Sequence, residues 1–216
     1  MKKALIFQGG WDGHEPAQVA EIIKDILKKE AFDVTVTDTL ETLQKEDLSI
    51  YDLIVPNWTQ GTIERDQLTP LLEVVAKGTG LAGLHGGMGD SFRMETDYQF
   101  MVGGQWVAHP GDDGVTYTVN IKDEDHPLTK GMKDFQVISE QYYMHVDPAI
   151  KVHATTRFPN AKGPYVSDDE IDMPVVWSKK WGQGKVYYCS LGHVAEVVRM
   201  PEVMELMRNG MVWASR

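Results

Sequence analysis

Gly80-Leu81-Ala82-Gly83-Leu84-His85-Gly86-Gly87 is the stretch that decides the fold. Gly80–Leu84 is small or apolar throughout, which reads as a strand buried on both faces. A histidine and two glycines follow at once. Glycine permits φ > 0 and close backbone approach. One polar side chain set between Gly83 and Gly86-Gly87 therefore reads as a sharp strand-to-helix elbow, holding His85 out over the end of a sheet.

Outward from the elbow towards the N-terminus, strand and helix signals alternate. Ala4–Phe7 is a short apolar run closed by Gly9-Gly10, and Asp33–Thr37 and Asp52–Pro56 read as further strands. Between them, Glu15–Lys29 places Val19, Ile22, Ile23, Ile26 and Leu27 at helical spacing, with Pro16 in the first turn where a missing N–H costs nothing. Glu64–Lys77 carries Leu68, Leu71, Leu72 and Val75 on one face and stops at Gly78. Such alternation implies right-handed crossovers and a parallel sheet. Ligands of these sheets sit beyond the C-terminal strand ends.

Towards the C-terminus the pattern changes. Val115–Ile121, Gln136–Ser139 and Lys151–Thr156 read as strands with one wet face. Met173–Trp177 and Lys185–Ser190 flank a Lys179–Gly184 turn as a hairpin. Pro201–Ser215 is a final helix with Val203, Leu206, Met207, Met211 and Val212 apolar. Ser91–Gly114 has no clear period. There is no repeat, linker or low-complexity segment, so residues 1–216 read as a single domain.

At 216 residues, 42% hydrophobic and 25% charged, the chain has an ordinary globular composition. A domain of this size buries about 70% of its unfolded surface and needs no staples. Net charge is −11. The basic residues are scattered, in runs no longer than Lys28-Lys29 and Lys179-Lys180, so nucleic acid and anionic membranes are poor partners. A single cysteine, Cys189, cannot form an intramolecular disulfide, which fits a reducing compartment. The four-residue apolar run Ala4–Phe7 is shorter than the roughly 7–15 residues of a signal h-region. No stretch approaches the roughly 18–20 apolar residues of a membrane span. The expectation is a cytoplasmic protein with a small polar ligand, and homo-oligomers stay open.

Three of the seven histidines fall just past a buried strand. His14 follows the first, His85 the fourth and His193 the last. In a parallel sheet those loops share one rim, so the three imidazoles converge. An elbow that carries imidazole argues against thiol or hydroxyl acyl transfer and for a metal ligand or general base. Cys189 lies within an apolar strand run and reads as core. His109 sits in a loop beside Trp106, and His145 follows the strand that bears Glu140. His126 reads as a turn residue and His153 as a strand residue without a site role. Neither C-x-x-C nor H-E-x-x-H occurs, so any metal site is assembled from distant segments. With no Walker loop and no G-x-G-x-x-G after the first strand, no nucleotide cofactor is expected.

Gly9-Gly10 with His14, Gly83-Leu84-His85-Gly86-Gly87, Gly103-Gly104 with His109-Pro110, Asp125-His126-Pro127-Leu128-Thr129-Lys130-Gly131, Ser139-Glu140-Gln141-Tyr142, and Gly182-Gln183-Gly184-Lys185-Val186 with Gly192-His193 occur in this order. Together they resemble the ThuA-like family, named for trehalose utilisation, over nearly the whole chain. The resemblance implies an α/β fold similar to class I glutamine amidotransferases. That is a flavodoxin-like three-layer sandwich with a mostly parallel central sheet, here with additional antiparallel strands in the second half. In those amidotransferases the elbow carries Cys, so His85 implies that glutaminase activity is absent. His193 falls where their triad histidine lies. A role in the metabolism of trehalose, sucrose or 3-keto sugars is implied. One departure is visible, since the family pattern often reads Asp-Glu before the tyrosine where this chain has Ser139-Glu140.

Residues and resemblance together lead to an enzyme acting on a sugar or keto-sugar, a hydrolase, lyase or isomerase. His85, His193 and Glu140 are its expected catalytic groups. Trp11, His14, Trp58, Gly86, Trp106, His109, Tyr142 and His145 are expected to bind substrate. In one version His14, His85 and His193 hold Zn2+ or another divalent ion, which polarises a carbonyl or activates water. In the other, a histidine near pKa ~6.5 and Glu140 do general acid–base work beside a ketone. A non-catalytic sugar-binding or accessory protein is the alternative.

Overall fold

The computed structural model describes residues 1–158, 162–164 and 170–216. In chain order its first half runs β1 (Lys3–Gly10), α1 (Pro16–Lys29), β2 (Asp33–Thr37), α2 (Thr42–Lys45), β3 (Leu53–Thr59), α3 (Arg65–Ala76), β4 (Gly80–Leu84), α4 (His85–Gly89) and α5 (Thr96–Val102). The second half runs β5 (Gly104–Ala108), β6 (Val115–Ile121), β7 (Phe135–Ser139), β8 (Tyr143–Val146), β9 (Lys151–Phe158), β10 (Ile171–Trp181), β11 (Gly184–Cys189), α6 (Ala195–Val198) and α7 (Pro201–Ala214). Nine strands form one sheet in the order β2-β1-β3-β4-β11-β10-β9-β6-β7, while β5 and β8 pair separately. β2, β1, β3, β4 and β11 are mutually parallel, and the strands from β10 to β7 are antiparallel. The expected α/β sandwich, mostly parallel where the site lies and antiparallel beyond, is the observed fold.

The period-2 rule explains why β1 is apolar throughout. Ala4 and Ile6 face a core built with Val19, Ile23 and Leu27 of α1 and Val203, Leu206 and Met207 of α7. Leu5 and Phe7 face the opposite core, with Leu68, Leu71 and Val75 of α3. Both faces of the strand are thus covered by helices. The strand order reverses direction at β1, whose neighbours are β2 and β3. That makes the end of β1 the point where such folds open a ligand crevice. No helix among the described residues is long and apolar enough to cross a membrane.

Several boundaries differ from the sequence expectation. The Lys179–Gly184 turn shrinks to Gly182-Gln183, because β10 continues to Trp181 and pairs Lys180 with Lys185. Lys179 stays in the strand because its ammonium reaches Asp147 at 2.7 Å and the Phe100 carbonyl. The Asp52–Pro56 strand runs on to Thr59, past a proline. Pro56 is tolerated because the β3–β4 ladder ends at Ile54↔Leu81, so no β4 residue requires its N–H. Ser91–Gly114 holds α5 and β5. Helix α1 starts at Pro16, with Glu15 left-handed at φ +48° as its cap.

Candidate functional site

β4 turns directly into α4, and His85 takes φ +44° there, a conformation that side chains rarely adopt. Its flanking glycines are required by space. A Cβ on Gly83 would lie 2.7 Å from Met88 Sδ, one on Gly86 2.5 Å from His14 Cε1, and one on Gly87 2.6 Å from Asn57 Oδ1. His85 is 1% exposed. Its Nδ1 donates to the Ser190 carbonyl at 2.8 Å, and its Nε2 lies 3.1 Å from Glu140 Oε2. Both ring nitrogens of His85 are therefore engaged by acceptors. Tyr188 donates its hydroxyl to the His85 carbonyl at 3.0 Å.

The other two rim histidines converge on this elbow. His14 follows β1 in a short 3-10 turn, Asp12–His14, and its Nδ1 is 2.8 Å from Thr59 Oγ1 at the end of β3. Glu15 accepts from the Ala195 N–H at 2.9 Å and so ties the loop after β1 to the start of α6, beside His193. Ring centroids lie 4.8 Å apart for His14 and His85, 5.2 Å for His14 and His193, and 5.6 Å for His85 and His193.

Glu140, one residue past β7, enters from the antiparallel half. Its Oε1 is 3.6 Å from His193 Nε2 and 3.7 Å from His109 Nε2. Tyr117 donates to the Glu140 carbonyl at 2.9 Å and fixes the backbone there. Tyr142 stacks on His85 with centroids 4.0 Å apart. The small β5–β8 sheet adds Trp106, whose ring is 5.5 Å from that of His109 and under the Arg93 guanidinium. Trp11, half exposed, meets the edge of His14 at 4.8 Å.

Burial and the neighbouring imidazoles hold His14 down at about 3, well below the ordinary histidine value. Burial also lowers His193, against the opposing pull of Glu140. Burial works against the charge on Glu140, yet the His85 hydrogen bond and the charges of His85, His193 and His109 outweigh it and hold the carboxyl at about 2. An uncharged His14 and an ionised Glu140 are the result. One ligand atom from each of His14, Glu140 and His193 lies within 4.8 Å of the others. Nitrogen and carboxylate donors of this kind suit Zn2+ and other divalent first-row ions. The hydrogen bond from His14 Nδ1 to Thr59 orients the ring and leaves Nε2 for a ligand.

The structure therefore brings together Trp11, His14, His85, Gly86, Trp106, His109, Glu140, Tyr142 and His193. It groups Glu140, and not His85, with His14 and His193 as donors, because both nitrogens of His85 are already engaged. Trp58 is placed elsewhere: its ring covers Gly9 and Gly61 and lines a separate cleft with Asp12 and Asp38. His145 is exposed on β8 and meets Tyr143. The rings of His126 and His153 lie 4.1 Å apart, tilted by 34°. Thr59, Glu15, Tyr117 and the Ser190 carbonyl escaped sequence reasoning. Thr59 lies past the Asp52–Pro56 run read as a strand, and only the structure extends β3 to it and pairs it with Gly10 of β1.

The family model ThuA, trehalose utilisation, matches residues 3–214. Among solved structures, a ThuA-like protein from Parabacteroides merdae is 18% identical, with TM-score 0.79 over 99% of this chain and 89% of that one. A cytoplasmic protein from Salmonella typhimurium is 12% identical, with TM-score 0.69 over the whole of both chains. A glutamine amidotransferase from Thermotoga maritima is 12% identical, with TM-score 0.53 over 88% of this chain and 74% of that one. A search of the curated proteins found no match. At these identities the structural likenesses establish the fold and nothing finer.

Proposed function

The chain belongs to the ThuA family, trehalose utilisation, and from that premise we propose that it is an enzyme of carbohydrate metabolism acting on a sugar or keto-sugar at a divalent-metal centre. The observation that carries this reading is the meeting of His14, Glu140 and His193 within 4.8 Å on the rim of the parallel sheet. A bound Zn2+ or similar ion would polarise a carbonyl or lower the pKa of a water molecule.

The chain's own groups have separable tasks. Thr59 aims His14, and His85 together with Tyr117 positions Glu140. Tyr142, stacked on His85, keeps water from that side of the ring. Its hydroxyl is pushed well above the ordinary range, first by burial and then by Tyr188, Glu140 and Asp90, so it stays protonated. His109 and Trp106 form the wall from which a sugar's hydroxyls and ring face are held. Glutaminase chemistry has no nucleophile at the elbow, since His85 stands there. We also place the protein in the cytoplasm, in keeping with its lone thiol and with the Salmonella typhimurium neighbour named as cytoplasmic.

The test is metal content by plasma mass spectrometry together with turnover of trehalose, sucrose and their 3-keto derivatives. About one divalent ion per chain, with turnover lost in His14→Ala and His193→Ala, is the expected result. A protein that stays metal-free after loading overturns the metal centre. Sugar binding without turnover by the loaded protein makes it a binding or accessory protein.

A further inference from the structure

A cleft of about 670 Å³ opens beside His193, between the edge strand β7 and helix α6. It shares His193 with the metal-donor group, so whatever fills it also reaches the rim. Ser139 lines it. That side chain is 2% exposed, and its Oγ is buried without a hydrogen-bond partner among the described residues. A buried hydroxyl left unpaired is costly, and a ligand hydroxyl is the natural partner. The charged residues of the lining are Asp113 and Glu196, both exposed, and among the described lining residues there is no Lys or Arg. Gln136 adds an amide that donates and accepts.

These features fix the chemistry of the occupant. A phosphate would meet two carboxylates and no cation, and a wholly apolar group would leave Ser139 unpaired. The lining also carries Val137, Ile138, Val194, Val197 and Met200, so an uncharged ring that offers both C–H faces and hydroxyls satisfies it. The cleft also lies within the range of small-molecule sites, about 300–1,000 Å³, and so has room beyond the single group held at the metal donors.

We propose that this cleft is the subsite for the second, uncharged ring of a glycoside whose reacting ring lies at His14, Glu140 and His193, and that Asp113 and Glu196 exclude phosphorylated sugars. The proposal rests on the functional reading above and specifies its substrate as an unphosphorylated glycoside.

Calorimetric titration of the metal-loaded protein with trehalose and with trehalose 6-phosphate tests it. Trehalose is expected to bind, and trehalose 6-phosphate at least about tenfold more weakly. Ser139→Ala should weaken trehalose about fivefold, the equivalent of one hydrogen bond. Gln136→Trp, at an exposed position, should block the cleft. Asp113→Lys with Glu196→Lys should remove the discrimination against the phosphate. Equal binding of both sugars, no binding of trehalose, or trehalose binding indifferent to Ser139→Ala and Gln136→Trp overturns the subsite. The two readings fail separately. Loss of metal from none of the donor variants sinks the metal centre while cleft binding stands. Metal and turnover intact, with trehalose affinity unmoved by the cleft variants, sinks the cleft alone.

Discussion

His85 and Glu140 stand 3.1 Å apart, Nε2 to Oε2, although 55 positions separate them in the chain. The pair joins the parallel half of the sheet to its antiparallel half, and both members are buried. Removing one partner of such a buried pair leaves the other without compensation, at a cost of about 3–5 kcal/mol. Glu140→Gln is therefore expected to destabilise the fold by about 3 kcal/mol, and His85→Gln by a similar amount. The double variant should lose less than the two losses added, since neither partner is then left alone. Urea unfolding of the four proteins measures this, and strict additivity would refute the coupling.

Acid should unfold the protein in a staged way. His14 is held from its ordinary value of 6.5 down to about 3, and His153, mainly by burial, down to about 4. As pH falls below 6.5 the unfolded chain takes up protons that the folded chain refuses, so stability drops from there towards pH 3–4. Glu140 is lowered from 4.5 to about 2, so its contribution is complete above 4.5 and is lost between 4.5 and 2. Melting temperature is expected to be level above pH 7 and to decline below 6.5. His153→Gln, outside the metal-donor group, should flatten the first part of the decline. A melting temperature unchanged between pH 7 and 5 would contradict the burial of neutral imidazoles.

Metal retention should separate ligands from the residue that positions them. His14→Ala and His193→Ala each remove a donor and are expected to yield metal-free protein after dialysis. His85→Ala removes a partner of Glu140 and no donor, so it should keep the metal with affinity lowered about 10–100-fold, as loss of an outer partner does. Plasma mass spectrometry over a chelator series reads the difference. Complete loss in His85→Ala, with retention in His14→Ala, would reverse the assignment.

Much of this centre is legible in the sequence, because a parallel sheet puts every strand's C-terminal end on one rim. Gly9-Gly10 before His14, Gly83 before His85 and Gly192 before His193 mark those ends without coordinates. What the sequence hides is register. That Thr59 reaches His14 follows from the pairing of Gly10 with Thr59, and a one-residue slip would turn that side chain away. Glu140 is harder still, for its strand lies at the far edge of the sheet and only the turn after β7 carries the carboxylate back. Trp58 shows how packing redirects a side chain. An aromatic near the end of a rim strand reads as a sugar platform, and in the structure its ring packs over Gly9 and Gly61.

The lone thiol should be inert. Cys189 is fully buried on β11, and burial pushes its pKa up to about 12. Since the thiolate is the reactive species, native protein is expected not to react with Ellman's reagent at pH 8, and to react fully in guanidinium. Rapid labelling of the folded protein would show that β11 opens or that the thiol has another environment.

Gly86→Ala is the sharpest test of the elbow. A methyl group there would sit 2.5 Å from His14 Cε1, 2.7 Å from its Nδ1 and 3.1 Å from the Tyr142 hydroxyl. His14 cannot retreat without breaking its bond to Thr59, and Tyr142 is held by its stack on His85. The clash is expected to destabilise the fold by about 1–3 kcal/mol, the usual cost of overpacking. It should also swing His14 away from Glu140 and His193, lowering metal affinity. Gly114→Ala is the control, because nothing among the described residues lies within 4 Å of a Cβ there and its φ is not positive. That variant should match the parent in both melting temperature and metal content. If Gly86→Ala matches the parent too, His14 does not pack against the elbow as described, and the donor group loses the contact that places it.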